Sequence, residues 1–522
     1  MIDFDHIKVV ADLAPYQAAT RPDAIAQVFD GRETTFAELN GYANQVAQGL
    51  IADGCKPDAR VGFIGKGSDR YFEMLHGAFK ANAVVVGVNW RLAPPEIAYV
   101  LNDAKVEVLF VGEEFYETVE KVLPECPTVR TVIALDGGRN DWPSFDDWRD
   151  GFEAKDPGLP HAPDDDVIQL YTSGTTGHPK GVQLTNANYI SIFKQGMGSG
   201  WANWEAGDVN LVCMPLFHVA GVNIGILGNA HGCKNIIIKE VDPGLILQLI
   251  EREKINIAFM VPAVILFLLQ TPGVEKVDFG PLKQVLYGAS PIAEDVLRRA
   301  QETFECDFVQ LYGLTETAGG ATNLPPKAHD PALGKLRSCG LPSPDMEIRV
   351  VDGDRNPLPA QQVGEIEIKG GSVMKGYWNR PEATAESVVE GWFKTGDAGF
   401  FDEDGYLYIH DRVKDMIVSG GENVYPAEVE NALFAHPAVA DVAVVGVPDD
   451  RWGEAVKAFV VLEPEQTATA DDIIAFAKTQ IAGYKTPKSI DFVEVLPRNP
   501  SGKILRRELR APYWEGRERQ VG

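Results

Sequence analysis

YTSGTTGHPKG, residues 171–181, is a run of hydroxyl side chains and glycines that closes on a lysine. Hydroxyls and backbone amides donate to phosphate oxygens, and glycine lets the backbone come close, so the run is suited to holding a phosphate. The nucleotide-binding template G-x-x-x-x-G-K-[ST] does not describe it. Counted from Gly174, that template requires glycine at 179 and Ser or Thr at 181, where the chain has Pro179 and Gly181. A different phosphate chemistry is needed, or else a plain surface turn, and the flanking sequence has to decide.

Outward from this run, β-branched segments alternate with helical patterns. RVGFIG (60–65) precedes a helix near 69–81 and then AVVVGVN (83–89). NIIIKE (235–240) precedes a helix near 243–254 and then INIAFMV (255–261); KQVLYGAS (283–290) precedes a helix beginning near Pro291 and then DFVQLYG (307–313). Such alternation implies parallel sheets covered by helices. The capping box Thr35-x-x-Glu38 opens a helix with Phe36, Leu39, Ala43, Val46, Ala47 and Leu50 on one face, ended by Gly54. After Gly340 the texture changes to short strands with D-G turns at 352–353 and 404–405, the mark of a small antiparallel β unit. From about residue 415, PAEVENALFAH (helix), VADVAVVGVP and KAFVVLEP (strands) and ATADDIIAFAKTQI (helix) form a separate smaller unit.

At 522 residues the chain exceeds what one hydrophobic core supports, so two or more domains are expected. A formal net charge of −27 argues against nucleic acid as a partner. Residues 483–522 reverse that balance, with nine Lys or Arg against five Asp or Glu, which reads either as a solvated basic tail or as a segment that meets phosphates. Six dispersed cysteines without a C-x-x-C pair suggest neither a disulfide framework nor a zinc site, and fit a reducing cytosol. The longest apolar run, IAFMVPAVILFLL (257–269), is too short for a membrane span, which takes roughly 18 residues. It reads as a buried strand that turns into a helix at Pro262, and no signal peptide is apparent at the N-terminus.

Six further motifs accompany the opening run: PLFHVAG (215–221), YGAS (287–290), QLYGLTET (310–317), FKTGDAG (393–399), HDRVKDMIVSGGENVYPAEVE (410–430) and PRNPSGKILRREL (497–509). Together, in this order, they resemble the adenylate-forming superfamily of acyl-CoA synthetases, firefly luciferase and peptide-synthetase adenylation domains. The resemblance covers essentially the whole chain. It implies an α/β fold: a large N-terminal part with two parallel-type sheets and a small β-barrel unit, followed by a mobile α+β domain. The boundaries it implies are 1–411 for the AMP-binding part, 412–415 for a hinge at Lys414, and 416–522 for the mobile domain.

The activity implied is an ATP-dependent acid–thiol ligation, in which a carboxylate attacks the α-phosphate, pyrophosphate leaves, and a thiol then takes the acyl group from acyl-AMP. Thr172, Ser173, Gly174, Thr175, Thr176, Gly177 and Lys180 are then the phosphate loop. Glu316 contacts magnesium, Thr315 the α-phosphate, Tyr312 and Gly313 with Gly288, Ala289 and Ser290 the adenine, Asp397 the ribose, and Arg412 ribose or phosphate. Lys503 is the catalytic lysine, brought in by the mobile domain; rotation about Lys414 then brings Ser419, Gly420 and Gly421 toward the pantetheine arm of CoA. His218 reads as an aromatic gate between nucleotide and acyl sites, with general base as the alternative.

The implied acyl pocket is small or apolar, with candidates His218, Val219, Ala220, Val222, Val261, Gly288, Gly313, Ala318 and Gly319 and no evident Lys or Arg for a second carboxylate. That favours a medium- or long-chain fatty acid, in the manner of mycobacterial very-long-chain acyl-CoA synthetases. Aryl acids, or loading of a separate carrier protein in place of CoA, are the alternatives. ATP, Mg2+, CoA and a small carboxylic acid are the expected cofactors and partners, and the sequence does not separate monomer from homodimer.

Overall fold

The computed structural model describes residues 2–172, 179–412, 415–419, 422–449, 452–464, 466–481, 483–498 and 504–515. Two large sheets face each other through helices. One has seven strands in the order Gly376–Tyr377, Lys180–Thr185, Asp166–Thr172, Val84–Gly87, Arg60–Ile64, Val106–Val111, Thr131–Ala134. The other has nine, running from Leu341–Pro342 through Thr322–Leu324, Asp307–Tyr312, Gln284–Gly288, Ile257–Met260, Val209–Val212 and Lys234–Ile237 to Ile25–Phe29 and Arg32–Thr35.

The first sheet is parallel except at one edge, and the second except at both. Lys180–Thr185 and Gly376–Tyr377 run antiparallel at one edge of the first, as do Thr322–Leu324, Leu341–Pro342 and Arg32–Thr35 at the edges of the second. The alternation rule applies to βαβ crossovers, and these edge strands enter by short connections or from distant sequence. Where the sequence suggested a helix from about Pro291, residues 291–293 stay non-helical and the helix is Glu294–Phe304. Glu294 and Asp295 occupy its first turn, where the helix dipole favours carboxylates.

Other local readings hold closely. The helix Phe36–Ala52 carries the expected capping box, Glu38 N donating to Thr35 Oγ1 at 3.2 Å and Thr35 N to Glu38 Oε2 at 2.8 Å. The apolar run divides into strand Ile257–Met260 and helix Pro262–Gln270, with Pro262 in the first turn, where its missing N–H leaves no bond unmade. Among the described residues, no helix is long and apolar enough to cross a membrane.

The helix Asp69–Lys80 lies between the sheets and is buried on every side. Its charges are paired there: Asp69 with Arg32, Glu73 with Arg149 and Lys80 with Asp156. Its His76 ring meets Asn229 Nδ2 at 2.9 Å, and Asn229 Oδ1 accepts from Asn235 Nδ2 at 2.9 Å. That buried polar contact fixes the helix Val219–His231, whose first residue follows His218.

Strands Met346–Val351, Gly364–Gly370, Val388–Val389, Trp392–Phe401 and Leu407–Arg412 form a five-stranded antiparallel sheet in which the central Trp392–Phe401 carries Asp397. Strands Ile417–Ser419, Glu422–Val424, Val439–Asp449, Gly453–Leu462 and Ser489–Phe492 form a last sheet around Val442, Val444, Val456 and Val460, with helices Pro426–Phe434 and Ala470–Gln480 packed on it. Only Ser489–Phe492 joins in parallel.

Candidate active site

A cavity of about 470 Å3 opens at the carboxyl ends of strands Gln284–Gly288 and Asp307–Tyr312. Ala289, Ser290, Tyr312, Gly313 and Asp397 line it together. In a parallel sheet the ligand crevice forms at this end. Tyr312 and Asp397 are 8% and 6% exposed, so the polar groups of each need a partner, and the Tyr312 hydroxyl donates to Asp397 Oδ2 at 2.9 Å. Burial, with the Asp397 charge beside it, pushes the Tyr312 hydroxyl well above its usual range, which keeps it a donor. Gly313 is required by space: a Cβ there would lie 2.5 Å from the carbonyl carbon of Gly319. Gly288 likewise leaves room for the carbonyl of Leu311, 2.2 Å from where its Cβ would stand.

Just beyond the cavity, the turn Thr315–Thr317 holds Glu316, 8% exposed. Its Oε1 accepts from the Tyr377 hydroxyl at 2.9 Å and from Thr172 Oγ1 at 3.5 Å. Lys180 places its ammonium 4.8 Å from the centre of the Tyr377 ring. Residues 172, 180, 316 and 377 thus converge from four separate segments.

His218 caps the helix Val219–His231, its ring 4.5 Å from that of Phe217. Burial, aided by the nearby Arg91 cation, lowers it to about 4, so the ring is neutral at physiological pH. Val219 lies against Gly319, and Asn223, one turn on, donates Nδ2 to the Ala318 carbonyl at 2.8 Å. Ala220 is partly buried, while Val222 and Val261 are packed into the main core; none of the three lines the cavity.

Several sequence candidates lie outside the described residues: Ser173, Gly174, Thr175, Thr176, Gly177, Lys414, Gly420, Gly421 and Lys503. Arg412 ends strand Leu407–Arg412 in register with Asp397, and its side chain is likewise outside the description. Ser419 is buried at the end of strand Ile417–Ser419 and does not line the cavity. The cavity also reaches residues that the motifs did not single out: Gln310, Arg337, Phe400, Tyr408 and, from the C-terminal unit, Glu428, Asn431 and Arg506. Only the tertiary fold brings residues 289, 397 and 506 to one cavity.

The model of the AMP-binding enzyme family matches residues 15–378, and that of the AMP-binding enzyme C-terminal domain matches residues 428–503. The chain belongs to the AMP-binding enzyme family. It is 41% identical over 519 residues to the fatty acid–[acyl-carrier-protein] ligase ScoC of Streptomyces coeruleorubidus, covering 99% of this chain and 98% of the relative. It is 38% identical over 502 residues to a feruloyl-CoA synthase of an Amycolatopsis species (95% and 97% covered), and 36% identical over 485 residues to the long-chain-fatty-acid–CoA ligase FadD13 of Mycobacterium tuberculosis H37Rv (92% and 93% covered). Among solved structures, the anthranilate CoA ligase AuaEII in complex with anthranoyl-AMP matches with a TM-score of 0.90 at 27% identity, covering 97% of each chain. A Mycobacterium tuberculosis fatty acyl CoA synthetase matches with 0.77 at 33% identity, covering 98% of this chain and 100% of that one.

This AMP-binding enzyme is therefore an AMP-forming acid–CoA ligase, with ATP and CoA as its substrates. Its residues fit the magnesium that accompanies the nucleotide. Carboxylate and hydroxyl oxygens, as in Glu316 and Thr172, are the hard donors this ion takes, and it keeps its remaining positions for phosphate and water. No group of three or more His, Cys, Asp or Glu converges as a self-sufficient metal cage among the described residues.

Proposed function

We propose that this ligase activates an apolar monocarboxylic acid, a medium- or long-chain fatty acid, as its acyl-adenylate and passes the acyl group to CoA. The observation that carries the adenylation site is the convergence of Thr172, Lys180 and Glu316 beside the cavity that holds the Tyr312–Asp397 pair. In this reading Asp397 takes the ribose hydroxyls, Tyr312 and Gly313 with residues 288–290 flank the adenine, and Arg412 reaches the ribose or phosphate. The hydroxyls and amides of residues 172–177, with Thr315 and Lys180, face the phosphates. Magnesium on Glu316 would neutralise phosphate charge. Lys503 places its ammonium between the α-phosphate and the attacking carboxylate, so that the charge developing in the transition state is met by groups already in place.

Acyl transfer then requires only a thiol, which needs little base assistance because it is already partly ionised near neutral pH. A neutral His218 suits a wall between the two sites better than a base, since its lowered basicity would make it a weak proton acceptor. The division proposed is 1–411 for the nucleotide-binding part, a hinge at 412–415 around Lys414, and 416–522 for the domain that presents first Lys503 and then Ser419, Gly420 and Gly421.

Gly319 is bordered by the Val219 methyls and the Asn223 amide, with no cation among its nearest neighbours, which supports a fatty acid over a dicarboxylate. Identity of 41% to a ligase that loads an acyl carrier protein supports a second reading, in which the acceptor is a carrier-bound phosphopantetheine. Pyrophosphate release and thioester formation, measured with acetate, octanoate, palmitate, benzoate and ferulate against both CoA and a holo-carrier protein, separate these. Palmitate or octanoate turnover that yields the CoA thioester, and loss of pyrophosphate release in Lys503→Ala, is the expected result. Pyrophosphate with no CoA thioester moves the acceptor to the carrier, and turnover confined to benzoate or ferulate moves the substrate to aryl acids.

A further inference from the structure

Both ends of the phosphate loop are tied to one helix outside the site, Pro94–Ala104. Tyr171, immediately before the loop, donates its hydroxyl to Asp103 Oδ2 at 2.8 Å. Asp103 Oδ1 accepts from Arg380 Nη2 at 2.6 Å, and the same Arg380 nitrogen lies 3.4 Å from the Tyr99 hydroxyl. Tyr99 in turn donates to the carbonyl of Pro179, at the far end of the loop, at 3.1 Å. Asp103 and Tyr99 share the helix Pro94–Ala104, so one rigid element holds residues 171 and 179.

Hydrogen bonds hold this corner together with the packing of Tyr99 and Tyr171 against the apolar cluster beneath them. A cavity of about 400 Å3 opens beside Pro179 and Lys180, bordered by Tyr99, Arg380, Glu382 and Glu386. The Asp103 side chain is 10% exposed and that of Arg380 41%, so the pair is buried on its carboxylate side and open to water on its guanidinium side. A buried carboxylate that accepts from both a guanidinium and a tyrosine is held more firmly than one in a fully exposed pair.

Arg380 belongs to GYWNR, residues 376–380, which reaches the metal-facing side as well. Tyr377 holds Glu316; Trp378 donates its indole Nε1 to the Asp103 carbonyl at 3.0 Å and its backbone N to Gly181 O at 2.8 Å. Arg60 stacks on the Trp378 ring at 3.6 Å.

We propose that Asp103, Tyr99 and Arg380 are positioning residues that brace both ends of the phosphate loop, and that GYWNR couples the brace to Glu316. The proposal rests on the reading of residues 172–180 as the phosphate loop. Fixing Tyr171 and Pro179 holds the two anchors of this segment in place before ATP arrives, so the brace contributes to ATP binding and leaves recognition of adenosine untouched.

The test is calorimetric titration of MgATP and of adenosine into wild type, Asp103→Asn, Tyr99→Phe, Tyr171→Phe, Arg380→Ala, Arg380→Lys and Lys180→Ala. The expected result is about tenfold weaker MgATP binding in Asp103→Asn and Arg380→Ala, a smaller loss in each hydroxyl deletion, and partial recovery in Arg380→Lys, with adenosine affinity within about twofold. Should Asp103→Asn fail to fold, the two isosteric Tyr→Phe variants carry the test. Parallel loss of MgATP and adenosine would reduce these residues to general structural support and overturn the proposal. Unchanged MgATP affinity in the brace variants, with Lys180→Ala weakened, overturns the brace alone. Unchanged affinity in Lys180→Ala as well overturns the loop reading beneath it.

Discussion

Tyr377 holds Glu316 across 61 residues of sequence, its hydroxyl 2.9 Å from Glu316 Oε1. The same ring carries the Lys180 ammonium over its face at 4.8 Å. One aromatic side chain thus sets the position of a carboxylate and a cation at the site, the first through its hydroxyl and the second through its π-system.

Removing that hydroxyl should act through the metal. In Tyr377→Phe, Glu316 loses a donor while the ring remains, so pyrophosphate release at limiting Mg2+ is expected to fall about tenfold. Raising Mg2+ should restore most of it. A magnesium titration of pyrophosphate release checks this; a loss independent of magnesium would separate Tyr377 from the metal role of Glu316.

Tyr312→Phe removes the donor that orients Asp397 without emptying the cavity wall. Affinity for adenosine is expected to fall about three- to tenfold, and Asp397→Asn should move it in the same direction. If 2′,3′-dideoxyadenosine binds wild type and Tyr312→Phe equally, while adenosine distinguishes them, the ribose assignment of Asp397 is supported. Equal losses for both nucleosides would count against it.

Gly313→Ala should be damaging and Gly353→Ala nearly silent. A Cβ at 313 would lie 2.5 Å and 2.6 Å from backbone atoms of Gly319 and Gly320, whereas one at 353 has nothing within 4 Å. Overpacking of this kind costs about 1–3 kcal/mol, and an open site stays within about 0.5 kcal/mol. Chemical denaturation of the two variants measures the contrast.

Stability should fall as pH drops from about 6.5 toward 4. Burial lowers His76 to about 3 and His231 and His329 to about 4, from an ordinary 6.5. In the folded chain they stay neutral where the unfolded chain takes up protons, so their contribution is present above pH 6.5 and is lost as pH falls through the folded values. His329 shows why. Its Nδ1 donates to the Pro325 carbonyl at 3.0 Å and its Nε2 faces the Tyr287 hydroxyl at 3.0 Å, an arrangement complete with one ring proton. At pH 5 each such histidine costs up to ~2 kcal/mol, and His329→Asn should flatten the acid limb of a Tm-against-pH curve.

The sequence by itself determined the local elements and the chemistry of the motifs. The Thr35–Glu38 capping box, the helix started by Pro262 and the D-G turns are contacts within a few residues, where side-chain type and backbone geometry act directly. The order of the motifs was likewise legible, and with it the family to which the chain belongs. The antiparallel edges of both large sheets were not, because strand direction depends on connections that span up to 190 residues or so, as between Lys180–Thr185 and Gly376–Tyr377. Only the tertiary structure decided that Tyr377 meets Glu316, that Asp103 is tied to Tyr171 and Arg380, and that Glu428 and Arg506 reach the cavity lined by Tyr312 and Asp397. Those pairings join residues with no periodic or local relation, so no propensity encodes them; they exist because burying two sheets against shared helices brings those particular side chains to one place.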